Sequence, residues 1–217
     1  FQANTTAGFS IVTYTGTGSN GSIKHGLVVK PSMYIVKRRD DSGYSWATYN
    51  ATIGATKQIR LNATNGEITT ANIWNNTEPT SSVFSVGVNT DCNENGGTYV
   101  AYCFRSIEGY SRIGRYKGNG SADGTYIYTG FRPTFLLIKN VSSGSSNWQI
   151  YDSKRDGFNA QNDIFRANLN SLEAAVDPID ILSNGFKQRN TAASNNTNAN
   201  IYIYMAFGSS FKYANAR

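Results

Sequence analysis

An internal repeat runs along this chain and limits the folds that it can adopt. The segment "PSMYIVK" at residues 31–37 matches "PTFLLIK" at residues 133–139, a spacing of 102 residues. Trp46 matches Trp148 at the same spacing, and "YVAYCF" at 99–104 matches "YIYMAF" at 202–207 at a spacing of 103. A constant spacing over several anchors indicates tandem duplication. The sequence therefore predicts two units, 1–106 and 107–217, that share one fold.

The composition of both units is typical of strands joined by tight turns. Only 16% of the residues are charged, and tyrosine, with 14 residues, is the most frequent aromatic. Short runs rich in Tyr, Thr, Val and Ile alternate with Gly, Asn and Ser. Such runs at regular spacing predict an all-β protein built from two tandem β-sandwich (jelly-roll-like) units of about 100 residues. Because "PTFLLIK" shows little alternation, we expect that strand to be central and buried on both faces.

The glycine-rich stretch "YKGNGSADG" at 116–124 resembles a phosphate-binding loop at first sight. A loop of that kind needs a helix directly after it, because the helix N-terminus supplies the free N–H groups that bind the anion. Here "TYIYTGF" follows, which is β-like, and "YTGTGSNG" at 14–21 occupies the same place in the first unit. We therefore interpret the glycines as hairpin-turn residues with positive φ, and we expect no nucleotide or other cofactor.

The net charge of +6 does not indicate a nucleic-acid binder. Lys37, Arg38 and Arg39 are followed at once by Asp40 and Asp41, whereas nucleic-acid binders concentrate basic residues on one face. No apolar run approaches the ~18 residues of a membrane-spanning helix. The sequence therefore predicts neither nucleic-acid binding nor membrane insertion.

The residue types needed for catalysis are scarce. His25 is the only histidine, and we expect it at the surface or at a strand edge rather than in a Ser–His–Asp or Cys–His arrangement. Paired carboxylates could hydrolyse glycosides, but the first unit has Asn50 where the second has Asp152, so that acid is not duplicated. The acidic candidates are Asp123, Asp152, Asp156, Glu173, Asp177 and Asp180. We predict no catalytic residues and no enzymatic activity.

Metal and disulfide chemistry has little support in the sequence. The loops around Asp91 and Asp156 offer oxygen ligands of the kind that calcium takes, but ordinary Asx-turns account for the same residues, and we predict no metal site. Cys92 lies in the loop "TDCNENGG" and Cys103 lies in the strand-like "TYVAYCF". Whether they form a disulfide stays open, since the geometry of such a bond cannot be deduced from sequence.

Aromatic side chains supply the candidates for ligand binding. Trp46 and Trp148 recur at equivalent positions, which predicts core packing in both units. Trp74 has no clear counterpart, and Tyr44 and Tyr126 lie near predicted turns. Because flat aromatic rings beside Asn and Asp hold sugar rings in lectin-like sandwiches, we take Trp74, Tyr44 and Tyr126 as candidate ligand-binding residues. Burial for structural reasons is the alternative for each of them.

Several segments together resemble a known family. They are "ANTTAGFSIVTYTGTGS", "WNNTEPTSSVFSVG", "TYVAYCF", "GYSRIGRYKGNGSADGTYIYTGFRPTFLLIK" and the ending "FKYANAR". They are similar to a repeat domain of uncertain biochemistry in large structural proteins of tailed bacteriophages, often marine ones, which are commonly labelled tail-fibre or other virion proteins. The resemblance covers essentially the whole chain, and "YKGNGSADG…YTGFRP" is its most specific part. It implies an all-β, non-enzymatic virion role and supplies no ligand-binding or catalytic residues.

The resemblance sets the functional expectation. It implies a virion surface structural protein, hence an extracellular one, that forms a tail-fibre or tip module for host attachment. The expected partners are other virion proteins, further copies of the chain in a homo-oligomer, with a trimer favoured, and a host-surface glycan. Two alternatives stay open. One is a capsid-attached fibre or decoration protein, and the other is a secreted carbohydrate-binding, lectin-like or glycan-depolymerising protein.

Overall fold

The computed structural model of the chain describes residues 1–209, so the "FKYANAR" ending at 211–217 lies outside the described residues. The fold is all-β, as predicted, and within residues 1–209 its one helix has four residues. The chain divides into two compact units. Unit 1 comprises Phe1–Ala63 and Glu67–Ser106, and unit 2 comprises Thr64–Gly66 and the chain from Ile107 onward. No helix in the described range is long and apolar enough to span a membrane.

Unit 1 contains nine strands and the short helix α1 (Thr90–Asn93). The strands are β1 Gln2–Asn4, β2 Phe9–Thr15, β3 Gly21–Lys24, β4 Met33–Arg38, β5 Ala47–Asn50, β6 Lys57–Arg60, β7 Ile68–Thr69, β8 Val83–Val86 and β9 Thr98–Phe104. Seven of them form a sheet in the order β1-β2-β9-β4-β5-β6-β7, and β3 pairs with β8 in a separate two-stranded sheet. All pairings are antiparallel.

Up to residue 209, unit 2 contains eight strands in one sheet, in the order β10-β17-β12-β13-β14-β15-β16-β11. The strands are β10 Ser111–Lys117, β11 Tyr126–Tyr128, β12 Pro133–Asn140, β13 Gln149–Asp152, β14 Gln161–Arg166, β15 Ala174–Leu182, β16 Gly185–Gln188 and β17 Ile201–Gly208. This sheet is barrel-like and nearly closed. Arg112 of the first strand in that order and Tyr128 of the last lie in contact, with the guanidinium carbon 5.8 Å from the ring centroid.

The two units have the same strand order. The order β10-β17-β12-β13-β14 in the sheet of unit 2 corresponds to the order β2-β9-β4-β5-β6 in unit 1. Strand β11 pairs with β16 as β3 pairs with β8. The main difference is β15, which pairs with both β14 and β16. Its counterpart β7 has two residues and pairs with β6 alone, so unit 1 has two sheets where unit 2 has one.

Equivalent lysines stabilise equivalent loops in the two units. The Nζ atom of Lys37, at the end of β4, donates to the carbonyl of Tyr44 at 2.7 Å. The Nζ atom of Lys139, in β12, donates to the carbonyl of Ser146 at 2.7 Å. Each bond spans seven residues and ties down the loop that leads into the next strand. The two units therefore repeat an individual hydrogen bond as well as a sequence pattern, since the lysine, the position of its acceptor and the bond length all agree.

Each unit has its own core, in which stacked tyrosines recur at equivalent positions. Tyr14 stacks on Tyr99 in unit 1 with 5.2 Å between the ring centroids, and Tyr116 stacks on Tyr202 in unit 2 with 5.0 Å. The core of unit 1 also includes Leu27, Tyr34, Val36, Tyr49, Ile73, Trp74, Phe84 and Val86. The core of unit 2 also includes Phe131, Leu136, Ile138, Tyr151, Ile164, Ile179, Ile181, Phe186 and Tyr204.

The core predictions hold with one correction. Strand β12 is internal to its sheet, and its residues 136–140 are buried, as "PTFLLIK" predicted. Trp148 is buried, but Trp46 is only half-buried, so its assignment to the core is wrong. Both tryptophans directly precede a strand, β5 or β13, and each backbone N–H is bound by an asparagine Oδ1. The position is therefore conserved between the units, whereas the depth of burial is not.

Both cysteines are free and buried. Burial raises the pKa of Cys92 and of Cys103 to about 12, because a thiolate is poorly solvated inside the core. The Cys92 thiol lies 3.3 Å from the carbonyl oxygen of Ile73. Cys92 also lies in α1, a helical turn in a segment that the sequence marks only as a loop. Two neutral thiols thus serve as small core residues.

Candidate functional site

The glycine-rich loops, which look most like an anion site in the sequence, are filled by the chain's own asparagines. In unit 2 the buried Asn196 accepts from the N–H of Asn119 at 3.0 Å and donates to the carbonyl of Ser121 at 2.8 Å. In unit 1 the buried Asn93 accepts from the N–H of Thr17 at 2.9 Å and donates to the carbonyl of Ser19 at 2.7 Å. We call these two arrangements the asparagine clamps.

The glycines of these loops are needed for backbone approach as well as for turning. A Cβ at Gly16 would lie 2.1 Å from the carbonyl oxygen of Glu94, and one at Gly118 would lie 2.2 Å from that of Thr197. Gly18 and Gly120 have φ of +68° and +67°, as expected for turn residues. The predicted hairpin is wrong, however. The loop leads from β2 to β3, or from β10 to β11, and these strands do not pair with each other.

The only histidine has a structural role. His25 is fully buried rather than at the surface, which corrects the expectation from sequence. Its Nδ1 accepts from the N–H of Leu27 at 3.1 Å, and its Nε2 lies 3.2 Å from the carbonyl oxygen of Thr80. Nε2 is therefore the protonated nitrogen, and both ring nitrogens are bound to the backbone. Burial lowers the pKa of His25, so the ring is neutral.

The carboxylates singled out in the sequence also bind backbone groups. Asp152 Oδ1 accepts from the N–H two residues further on, at 3.0 Å, and Asn50 does the same in unit 1 at 2.9 Å. This confirms the Asx-turn interpretation at Asp152. Asp156 accepts from the N–H of Asn162 at 2.8 Å, and Asp91 accepts from that of Ser45 at 2.8 Å. Within residues 1–209, no three His, Cys, Asp or Glu side chains converge in an arrangement that could hold a metal ion.

The three aromatic candidates lie in three different environments. Trp74 is fully buried and contacts Tyr34 edge-on at 4.8 Å, so it is a core residue, and the prediction of a ligand-stacking role for it is corrected. Tyr44 is half-buried beneath the guanidinium of Arg38, which lies 4.5 Å from its ring centroid. Tyr126 is 44% exposed. Tyr126 alone among the three presents a large open face.

Tyr126 belongs to an exposed surface that the sequence did not fully reveal. In β11 the side chains alternate, so Ile127 enters the core while Tyr126 and Tyr128 point outward, the latter 55% exposed. The hydroxyl of Tyr126 donates to Oδ1 of Asn184 at 2.7 Å. A Cβ at Gly185 would lie 3.1 Å from Cε2 of Tyr126, so that ring lies across the glycine. We call Tyr126 and Tyr128, together with Asn184 and Gly185 beside Tyr126, the tyrosine platform.

Arg112 gives the platform its charge. Its guanidinium lies over the ring of Tyr128 and close to Tyr204, whose pKa burial raises. In the described part of the chain no carboxylate forms an ion pair with Arg112. Lys187, opposite Tyr126 in the sheet, is by contrast paired with Asp123 at 2.5 Å. This contact lowers the pKa of Asp123. Arg112 is thus a cation available to an external anion.

The equivalent surface of unit 1 has a groove. Ile23 of β3 lies opposite Phe84 as Ile127 lies opposite Phe186, so Ser22 and Lys24 stand where unit 2 has its two tyrosines. The groove has a volume of about 460 Å³ and is lined by Phe1, Lys24, Gly26, Val28, Ser81 and Ser82. In both units the outward side chains of one short strand, β3 or β11, form an exposed surface. That surface carries a serine and a lysine in unit 1 and two tyrosines in unit 2.

Part of the platform could have been found from the sequence. The pattern Tyr-Ile-Tyr at 126–128 alternates as a half-buried strand does, which would have placed Tyr128 beside Tyr126. Arg112 could not have been found in this way. It reaches the platform because the first and last strands of the unit 2 sheet approach each other, and that depends on the closure of the whole sheet.

Comparison with known proteins assigns the chain to a family of unknown function. A family model described as "Domain of unknown function (DUF7483)" matches residues 1–210. No curated protein and no solved structure matches the chain. The match spans both units in a single family model.

Proposed function

The chain belongs to the DUF7483 family over residues 1–210, and we propose that it is a virion surface protein of a tailed bacteriophage that acts in host attachment. It would form part of a tail fibre or tip and would not be an enzyme. The resemblance of its motifs to phage structural proteins suggests the location. The observation that carries the attachment role is the exposed tyrosine platform, because aromatic rings with adjacent amide groups suit polar cell-surface polymers.

We also propose that the two units are tandem copies of one sandwich-type module, at 1–106 and 107–217. The equal strand orders support a duplication, and so do the paired asparagine clamps and lysine contacts. The two-sheet arrangement of unit 1 is the closer of the two to a sandwich. In unit 2, β15 joins the corresponding parts into a single sheet.

Attachment through such a surface would depend on several copies acting together. An open aromatic surface with a few hydrogen-bonding groups binds a polar polymer weakly, and repeated copies raise the effective affinity by avidity. We therefore propose a homo-oligomer, with a trimer favoured, assembled with other virion proteins. Light scattering on the full-length polypeptide tests the oligomer, and a strictly monomeric full-length protein would contradict it.

Localisation on the particle is the decisive test of the proposed function. Antibodies against this chain should label the tail fibre or tip of intact particles in electron micrographs, and the purified protein should compete with particles for host cells. Label on the capsid would select the decoration-protein alternative. Absence of label from particles would reject the virion role. Release of reducing sugar from host glycans by the purified protein would reject the non-enzymatic role.

The tyrosine platform also favours a second candidate, a secreted carbohydrate-binding protein. Such a protein would use the same rings to hold a sugar, but as a free molecule rather than on a particle. Glycan binding by isolated monomers, combined with absence from virions, would support that candidate in place of the first.

A further inference from the structure

We propose that the tyrosine platform of unit 2 binds an anionic saccharide, with a sugar ring stacked on Tyr126 or Tyr128 and a carboxylate or sulfate paired with Arg112. The inference deepens the proposed function, because it names the chemical class of the attachment ligand. It rests on three observations. They are the hydrogen bond that orients the Tyr126 ring, the exposure of both rings, and the cation beside them.

The platform is built before any ligand arrives. The hydroxyl of Tyr126 is bound to Asn184, and the edge of its ring lies against Gly185, where a side chain would also clash with the carbonyl of Ile127. The ring of Tyr128 has the guanidinium of Arg112 over it. The Tyr126 ring, held by its hydrogen bond, loses little side-chain freedom when a ligand stacks on it, which lowers the cost of binding.

The stacking surface is suited to sugars. Tyrosine combines an apolar ring face with a hydroxyl at its edge, and the two rings are 44% and 55% exposed. Asn184 is exposed beside them and carries amide donors as well as the acceptor that Tyr126 uses. A saccharide can therefore place C–H groups over a ring and direct its hydroxyl groups to the amide.

Arg112 provides the preference for an anion. It is exposed, and its guanidinium carbon lies 5.8 Å from the ring centroid of Tyr128. Arg38 makes a comparable contact with Tyr44 in unit 1, but Asp40 pairs with it at 3.2 Å. The arginine of unit 2 has no such carboxylate in the described range. A guanidinium is suited to bidentate binding of a carboxylate or sulfate.

The test measures binding to the full chain by NMR titration with a matched pair of probes. The probes are a galacturonic acid hexamer and its fully methyl-esterified form. A sulfated hexasaccharide provides a third arm that distinguishes sulfate from carboxylate. We expect the acidic hexamers to bind about tenfold more tightly than the ester, which corresponds to one charge-assisted contact. We expect 0.5 M NaCl to remove most of that preference.

Variants separate stacking from charge. Tyr126→Ala and Tyr128→Ala should each weaken binding of every probe by about tenfold, as for central residues of an interface. Arg112→Gln should abolish the acidic preference and leave binding of the ester unchanged. Tyr44→Ala and Arg38→Gln are the matched controls in unit 1 and should have no effect. Unchanged unfolding midpoints show that the variants remain folded.

The outcomes keep this inference distinct from the proposed function. Failure of both acidic probes to bind at millimolar concentration would overturn it, as would binding that Tyr126→Ala and Tyr128→Ala leave intact. Equal affinity for acid and ester would overturn the role of Arg112. If particles carry the protein and attach to cells while these variants behave as wild type, the inference fails and the proposed function stands. If the protein binds the acidic probes through the platform but is absent from virions, the inference stands and the proposed function fails.

Discussion

Replacing the clamp asparagines measures how much of the stability of each unit depends on a single side chain. The Nδ2 atom of Asn196 has two hydrogens, which it shares among the carbonyls of Ser121 and Asn190, both at 2.8 Å, and Oδ1 of Asn119 at 2.9 Å. Its Oδ1 accepts from the N–H of Asn119 at 3.0 Å. The residue is fully buried, so water does not replace these bonds.

The magnitude follows from counting hydrogen bonds. Asn196→Ala removes two hydrogen-bond donors and one acceptor. At about 1 kcal/mol for each of the three bonds, the free energy of unfolding falls by about 3 kcal/mol. Asn93 also makes three bonds, to Thr17, Ser19 and Gly87, so Asn93→Ala should cost nearly the same. For a chain of this length such a loss lowers Tm by about 6–12 °C.

The assay is urea unfolding followed by tryptophan fluorescence and far-UV circular dichroism. Asn196→Asp is a shape-matched variant that cannot donate and would bury a charge, so it should be at least as destabilising as Asn196→Ala. Exposed Asn198 gives a surface control on the same loop, and Asn198→Ala should change the unfolding free energy by less than about 0.5 kcal/mol. A loss below about 1 kcal/mol in Asn196→Ala or Asn93→Ala would refute the clamp argument.

Three further predictions concern buried groups. Trp74→Ala should cost about 3–5 kcal/mol and Trp46→Ala clearly less, because only Trp74 is fully buried; equal losses in urea unfolding would contradict this. Cys92 and Cys103 should react with a thiol reagent at pH 8 only in denaturant, since burial raises the pKa of both to about 12; rapid reaction of the native protein would show them to be accessible. Burial lowers the pKa of Lys139 to about 8 from 10.5, so between these values the unfolded chain binds more protons. The contribution of Lys139 to stability should therefore rise with pH from about 8 to 10.5, and Lys139→Met should remove that rise from denaturation curves recorded across this range.

The architecture was largely predictable because it repeats. The spacing of Pro31 and Pro133, and of the Tyr-rich strands, reflects a strand order that both units keep. Asn93 and Asn196 also stand 103 residues apart, yet their role could not be deduced, because a clamp depends on long-range contacts between a loop and a segment some 75 residues away. Repetition shows that a residue matters, but not what it binds.

Burial was the harder quantity to predict. Trp74 lies in an irregular segment without strand alternation, so nothing local indicates that its ring enters the core. Trp46 and Trp148 are equivalent in sequence, but their surroundings differ and so does their burial. Tyr126 was identified as a candidate from its position near a turn. Its partner Arg112 is distant in the sheet order and contacts the platform only because the sheet nearly closes.

The outward positions of β3 and β11 are separate from the residues that maintain the fold. Ser22 and Lys24, like Tyr126 and Tyr128, are exposed, whereas the isoleucine between each pair packs on the core. Side chains at these positions can therefore be exchanged at little cost to folding. A duplicated chain can therefore change this surface in one unit by a few substitutions while the surface of the other unit stays the same. The same separation makes the module a natural scaffold for displaying short recognition sequences.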